Sequence, residues 1–596
     1  DTATTEIYTL SLHDALPISE SKQARTQQEP KAKERTQEPK ATRLRIDSVT
    51  ITTKKGEKII TASNEDNEEI EHEKMLLEPQ VWDTDGLDKD QTKQGMKKEA
   101  ESMKKQGVFK EVDINDVPQQ HRNNIIDSRW VLRQKGNEVR ARIVAKGFTE
   151  RINDLDDIYA STPIFQILRI LLTLAIFKHW FVRAGDISTA FLHAPTGNDN
   201  LYMWPPAELY GQHSTIVWQL LKAIYGLRTS PKSWQDFLAD VLKQLGLTRL
   251  VSEPNVYRNE QQTVFVMVYV DDLLFLGEQS EVNKIFEAIQ QKVLLRPTGE
   301  LTYGKTISFL GRNLTNRGDH IDITLAPDYV EAILKEHNLQ NCNPVTTPGT
   351  ASLKQTINDE VPLSKEEHAQ YRRAVGKLQW LTYTRPDISY ATKELARDLQ
   401  SPTQHSLHKL KHLLRYLRGT QYYKQTVHPT ITPEGISTFD LNVYADADWA
   451  GCPTTRKSTS GFTMTLLGAT IHFGSRTQAV VALSSAESEL YAIGTAAQEV
   501  LHAMNFIKEA MTGARVNVKI HTDSTSGKSI ATRIGSSKKA KHIDLKYLFI
   551  QQLVHNGILT IHKVGTHDNP ADIFTKYVTA DILHKHLHNV GLHGQH

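Results

Sequence analysis

The sequence predicts a multidomain protein of mixed α+β / α/β class, and three observations predict it. At 596 residues the chain has room for three or four domains of about 150 residues each. Short β-prone runs interleave with stretches whose apolar residues recur at helical spacing. In two distant regions such strands deliver acidic residues, a costly placement unless a cation compensates. Composition narrows the rest. Lys and Arg total 71 against 69 Asp and Glu, a formal charge of +2, so any basic surface must be local. The 2 cysteines, Cys342 and Cys452, lie far apart and outside any CxxC spacing, which argues against a disulfide scaffold or a zinc ribbon and for an intracellular protein. The best apolar run, IFQILRILLTLAIF at 164–177, falls short of the ~18 residues of a membrane span and carries Arg169, so it reads as a buried helix.

Residues 1–19, DTATTEIYTLSLHDALPIS, lack a positive n-region, and His13, Asp14 and Pro17 interrupt the apolar stretch, so no signal peptide is expected. Asp1 to Ile18 match the translation of a flow-cell sequencing adapter and are set aside as a library-construction scar. Residues 20–81 read as a disordered linker, because RTQQEPKA is nearly restated as RTQEPKA and an acidic run, NEDNEEIEHE, follows. From about Trp82 the apolar pattern is continuous. RWVLRQKGNEVRARIVAKGF, 129–148, reads as a hairpin around Lys135-Gly136-Asn137. Farther on, Ser230 is the expected N-cap of a helix with Pro231 in its first turn, Trp234, Leu238, Val241 and Leu245 on its apolar stripe, and Gly246 as its stop.

The sharpest signal is TVFVMVYVDDLLFLGE, 263–278, where two apolar β-prone runs flank Asp271 and Asp272. Pressing two acids together raises the cost of both charges, and a divalent cation relieves it. Upstream, WFVRAGDISTAFLHAP at 180–195 brings a strand into Asp186. Three carboxylates on strand ends suit a two-metal site acting on a triphosphate and a 3′-hydroxyl. YVDD at 269–272, GDISTAF, RARIVAKGF, LYMWPP at 201–206 and YGLRTSPKSW at 225–234 together resemble the reverse transcriptase of copia-type long-terminal-repeat retrotransposons. The resemblance implies a right-hand polymerase with fingers and palm over 82–300, then a thumb and connection region over 301–436. It implies that Asp186, Asp271 and Asp272 are catalytic metal ligands and that Phe191 is an aromatic gate against the ribose 2′-hydroxyl. It also implies that Arg142 and Lys135 neutralise the incoming triphosphate, and that Gly226 and Arg228 line the template and nucleotide side.

Residues 437–578 carry a second set. STFDLNVYADADWAG alternates as a core strand and delivers Asp446, with Asp448 as a competing ligand. A helical stripe from Leu490 to Ile507 follows Ser484 and Glu487, which fit a capping box and give Glu487 a structural role, whereas Glu489 has none. VNVKIHTDS delivers Asp523, and NPADIFTK supplies Asp572. The pattern resembles ribonuclease H of the copia type, a mixed-sheet domain, and implies that Asp446, Glu489, Asp523 and Asp572 are its catalytic metal ligands. His567 is left out of that set, and His542 reads as a backbone or substrate contact. The basic helix at 407–420 reads as a solvated face or a nucleic-acid track, and 579–596 as a tail.

The resemblance covers about Trp82 to Tyr577. Capsid, protease and integrase words are absent, so the chain is expected to be a fragment or processed tail of a larger polyprotein. The expected function is RNA-directed DNA polymerase with ribonuclease H, using two Mg²⁺ per site with Mn²⁺ as a substitute. The implied partners are an RNA template, a DNA or tRNA-like primer, the RNA–DNA hybrid, dNTPs, and integrase and capsid proteins of the same element, with no membrane. A cytoplasmic virus-like particle, later nuclear, is the implied location. The rival reading is a catalytically inactive relic that only binds nucleic acid.

Overall fold

The structure, a computed structural model, describes residues 48–52, 58–62, 87–151, 158–211, 214–354, 361–430, 438–533 and 545–594. Residues 1–19 and His542 lie outside them. Two compact units are present, 1–63 and 64–596. In the first, Ser48–Thr52 pairs antiparallel with Lys58–Ala62 inside the stretch expected to be disordered. The reason is local: SVTIT and KIITA are runs rich in β-branched residues on either side of a Lys-Lys-Gly sequence, a hairpin signal that the overall polarity of 20–81 hides.

The second unit is built on three large sheets. The first has six strands in the order Leu295–Glu300, Phe181–Ile187, Asp272–Gly277, Val264–Tyr269, Val256–Asn259 and Leu247–Arg249. All its described pairings are antiparallel. Its two central strands are apolar on both faces because both are covered. Ser230–Gln244 and Gln279–Gln290 lie on one side, and Phe165–Phe177 on the other. Ser230 is not the N-cap. It is the first helical residue and gives its hydroxyl to the Ile224 carbonyl at 2.6 Å, because Thr229, the residue before it, already turns in helical geometry. Upstream, Ser128–Lys135 and Glu138–Ala145 form the expected basic hairpin.

Five antiparallel strands follow in the order Thr306–Phe309, Arg312–Asn316, Ile321–Thr324, Lys424–Val427 and Leu592–His593. Residues 579–594 are therefore no tail. Leu583, Leu587, Val590 and Leu592 are buried, and the last strand completes this sheet. The helix Gln404–Gly419 buries Leu410, Leu413, Leu414 and Leu417, as its pattern requires. Its basic residues divide, and His408 and Lys411 stay exposed. His405, His412, Arg415 and Arg418 bond the carbonyls of Leu353, Thr347, Asn343 and Gln340, strapping the segment 340–353 to the helix.

The third sheet is mixed. Ala469–Thr477, Thr459–Leu466 and Thr438–Asp448 run antiparallel, and Arg515–Thr522 and Thr560–Lys563 then add in parallel. The long helix Ser485–Ala510 packs on it. One apolar core runs without a break from the first sheet through Phe165–Phe177 into this third sheet and helix. That explains why Phe165–Phe177 is buried nearly all round, Gln166, Arg169 and Thr173 included: two sheets cover it. Among the described residues no helix is long and apolar enough to cross a membrane.

Candidate active sites

The strand register assembles the first site. Tyr269 pairs with Asp272 across a two-residue turn, and Asp272 faces Asp186 on the neighbouring strand. The ligand oxygens of Asp186, Asp271 and Asp272 lie within 4.8 Å of one another, all half-buried. The turn is strained, since Val270 takes φ of +50°, a region a β-branched residue rarely adopts. Two hydrogen bonds hold it there. The Trp234 indole N–H donates to the Val270 carbonyl at 2.6 Å, and the Ile187 N–H donates to the Asp271 carbonyl at 2.7 Å. Strain held by its surroundings is a common device for fixing functional groups.

One wall of this site is aromatic and cationic. Phe191 meets Tyr225 edge-on with ring centroids 5.5 Å apart, and the Arg142 guanidinium lies 4.7 Å from the Tyr225 centroid. Burial raises the Tyr225 hydroxyl pKa, Arg142 opposes that shift, and Glu99 and Asp271 add to it. Tyr225 thus links the basic hairpin to the carboxylates, a role that sequence reasoning missed although it opens YGLRTSPKSW. Gly226 is required where it sits. At φ of +90° a Cβ would lie 2.2 Å from the Ala145 carbonyl oxygen. The two segments approach this closely because the Ala145 N–H bonds the Tyr225 carbonyl at 2.8 Å. Arg228 is exposed, and its backbone N–H donates to buried Glu150 at 2.6 Å. Lys135 sits at the exposed tip of the hairpin, four register positions from Arg142, roughly 13 Å along the strand. The structure brings Arg142, Phe191 and Gly226 to one wall and leaves Lys135 at a distance from it.

At the second site Asp446, Glu489 and Asp523 place their ligand oxygens within 4.8 Å of one another. Asp572 is not in this trio. It belongs to the short helical turn Pro570–Phe574 and ion-pairs with Lys576 at 3.0 Å, while Lys576 also reaches Asp446 at 3.8 Å. Thr575 donates its hydroxyl to Asp446, and Asn569 ties the turn to the Ala445 carbonyl at 3.1 Å. Gly461, paired with Asp446, lets that turn approach, since a Cβ there would meet Thr575 Cγ2 at 2.6 Å. Thr575, Lys576 and Asn569 were missed at the sequence level, although all three fall within or beside NPADIFTK.

Electrostatics single out the trio. Burial first, then Asp446 and Asp523, push the Glu489 carboxyl up to about 9, and its Oε2 is buried without a hydrogen bond. Asp446 is pushed up to about 7, again by burial first, with Lys576 opposing and Asp572 adding. Such a donor set fits a hard divalent cation, which would favour the ionised forms and fill the open position of Glu489. Asp446 does not end its strand, which runs on to Asp448. Asp448 lies outside the trio, its carboxylate ion-paired with Lys354 at 2.5 Å. Glu487 has the structural role expected of it. Its N–H bonds Ser484 at 3.2 Å, but its carboxylate accepts from the Leu483 N–H at 2.8 Å instead of closing the box on Ser484. His567 is exposed and outside the trio.

The reverse transcriptase (RNA-dependent DNA polymerase) family matches residues 109–351. The Retrovirus-related Pol polyprotein from transposon RE1 of Arabidopsis thaliana is 30% identical over 492 residues, covering 80% of this chain and 32% of the relative. Its counterpart from transposon TNT 1-94 of Nicotiana tabacum is 29% identical over 526 residues, covering 85% of this chain and 38% of the relative. The chain thus spans about a third of the length of the curated relatives it matches. A foamy viral protease–reverse transcriptase solved with double-stranded DNA aligns over 80% of this chain and 70% of its own at 13% identity, with a TM-score of 0.48. The matched residues hold the six-stranded sheet with the first carboxylate cluster, and the mixed sheet with the second cluster lies beyond them. The middle of the chain thus matches the reverse transcriptase family, and retrovirus-related Pol polyproteins of plant transposons align along four fifths of its length.

Proposed function

We propose that the chain is an RNA-directed DNA polymerase whose C-terminal part degrades the RNA of the hybrid, each reaction supported by its own carboxylate cluster. The observation that carries this reading is the pair of three-carboxylate groups, Asp186, Asp271 and Asp272 in one and Asp446, Glu489 and Asp523 in the other. Two Mg²⁺ per site, with Mn²⁺ as a substitute, would polarise the phosphoryl group and lower the pKa of the attacking hydroxyl or water. Asp186, Asp271 and Asp272 would hold the ions in the first cluster. Asp446, Glu489 and Asp523 would do so in the second, with Asp572 joining once Lys576 releases it.

The protein's own groups do the positioning. Arg142, over the Tyr225 ring, offers its guanidinium to triphosphate oxygens, and the Phe191–Tyr225 wall is set to meet the sugar of the incoming dNTP. The pinned turn at Val270 keeps Asp271 and Asp272 in place, so alignment costs little when substrate arrives. RNA template, DNA or tRNA-like primer and RNA–DNA hybrid are the substrates this reading requires. Fingers and palm over 82–300, thumb and connection over 301–436 and ribonuclease H over 437–578 are its working divisions. The test is primer extension on an RNA template with and without Mg²⁺. Extension that needs the metal and disappears in Asp271→Asn supports the reading. A folded parent that binds the primed template and never extends it makes this copy a binding relic.

A further inference from the structure

A cleft of about 360 Å³ opens where the helices Phe165–Phe177 and Ser389–Arg397 meet the strand Ala469–Thr477, and none of the seven candidate carboxylates lines it. Its charge is unbalanced. Arg169, Lys393 and Arg476 face Glu499, the one carboxylate among its described lining residues. Glu499 is already engaged, 3.1 Å from His472 and 2.5 Å from Arg476, and Lys393 ion-pairs with Glu394. Arg169 has no such compensation.

The Arg169 side chain is 1% exposed and stacked between Phe165 and Phe473, 4.9 Å from each ring centroid. It donates to the carbonyls of Ile471 and Tyr383, and among the described residues no carboxylate forms an ion pair with it. Burial first, then the equally buried Arg312, hold its pKa down to about 9. A buried charge left without a counter-ion is strongly unfavourable. Three donors in this cleft also lack acceptors. Arg169 Nε, Thr392 Oγ1 and Ser475 Oγ are buried and make no hydrogen bond.

We propose that this cleft binds a small phosphate-class anion, inorganic phosphate or pyrophosphate, through Arg169 Nε and the hydroxyls of Thr392 and Ser475. Water would satisfy the donors and leave the charge uncompensated. Donors arriving from two helices and a strand also suit a tetrahedral oxyanion better than a planar carboxylate. Such an anion would bridge the polymerase helix, the connection helix and the ribonuclease H-like sheet.

The experiment is the thermal midpoint of the full chain in EDTA, at matched ionic strength, with chloride, phosphate or pyrophosphate at about 10 mM. The chelator keeps metal-dependent phosphate binding at the carboxylate clusters out of the readout. The midpoint is expected to rise by about 2–4 °C with either phosphate species. In Arg169→Met the anion-free midpoint should hold or rise and the anion effect should vanish. The double variant Thr392→Val with Ser475→Ala keeps the guanidinium and should shrink the shift, which preserves the test if Arg169→Met does not fold. A parent indifferent to anion overturns the proposal, as does an undiminished shift in either variant. A shift produced by a short DNA duplex and by neither small anion overturns it too, and would assign the cleft to a nucleic-acid backbone.

Discussion

Trp234→Phe should damage polymerisation without touching a carboxylate. The indole N–H donates at 2.6 Å to the carbonyl of Val270, which sits at φ of +50° immediately before Asp271. Phenylalanine keeps an aromatic ring in the buried position and removes the donor. The carbonyl then loses its partner, worth about 1–3 kcal/mol, and the left-handed valine releases about 1–2 kcal/mol by relaxing. The second anchor, the Ile187 N–H on the Asp271 carbonyl at 2.7 Å, remains, so the turn should shift and not unravel. Because a displacement near 1 Å at reacting groups can cost about 100-fold, kcat for primer extension should fall by roughly 10–100-fold while KM for dNTP changes little. Adding Val270→Gly, which removes the strain, should recover part of the rate. Steady-state extension on a primed RNA template reads this directly. A Trp234→Phe enzyme with parental kcat would refute the claim that this hydrogen bond positions the carboxylates.

Three further outcomes follow from the geometry. Glu489→Gln should abolish hybrid cleavage yet stabilise the metal-free protein by about 1–3 kcal/mol in urea unfolding with EDTA at pH 7, because a carboxyl pushed up to about 9 by burial, Asp446 and Asp523 must take up a proton on folding, a cost that glutamine avoids. Phe191→Val should weaken discrimination against ribonucleotides, measured as the kcat/KM ratio for dNTP over NTP, since it opens the wall shared with Tyr225. Glu499 is held down to about 2, against its burial, by His472 and Arg476. A depressed carboxylate contributes stability above its unfolded pKa of 4.5 and loses it as pH falls toward 2, so Glu499→Gln should cost about 3 kcal/mol at pH 7 and progressively less below pH 4.5.

The legible parts of this protein were those with local periodicity. Alternation and turn residues located the 129–148 and 263–278 hairpins, and the strands that carry Asp186 and Asp446 and lead into Asp523 followed from the same signal. What escaped was set by distant packing. The mostly apolar helix at 165–177 gave no sign that two sheets would cover it, and Arg169 within it became a buried cation at their junction. Ser230 looked like a cap because its type is right, but Thr229 before it was already helical. Residues 579–594 read as a tail because an edge strand of two residues, Leu592–His593, has no periodicity to detect. Among the site residues, the carboxylates were found by type and position. Tyr225, Thr575 and Lys576 act through neighbours far away in sequence, and nothing local distinguishes them from structural residues.

The central claim is that two separate carboxylate clusters perform two separate reactions. Its most direct test gives the parent, Asp271→Asn and Asp446→Asn the same end-labelled RNA template with a DNA primer in Mg²⁺, following extension and RNA cleavage in one gel. Asp271→Asn should still cleave without extending, and Asp446→Asn should extend without cleaving. Loss of both activities in either variant, with the protein folded, would contradict it.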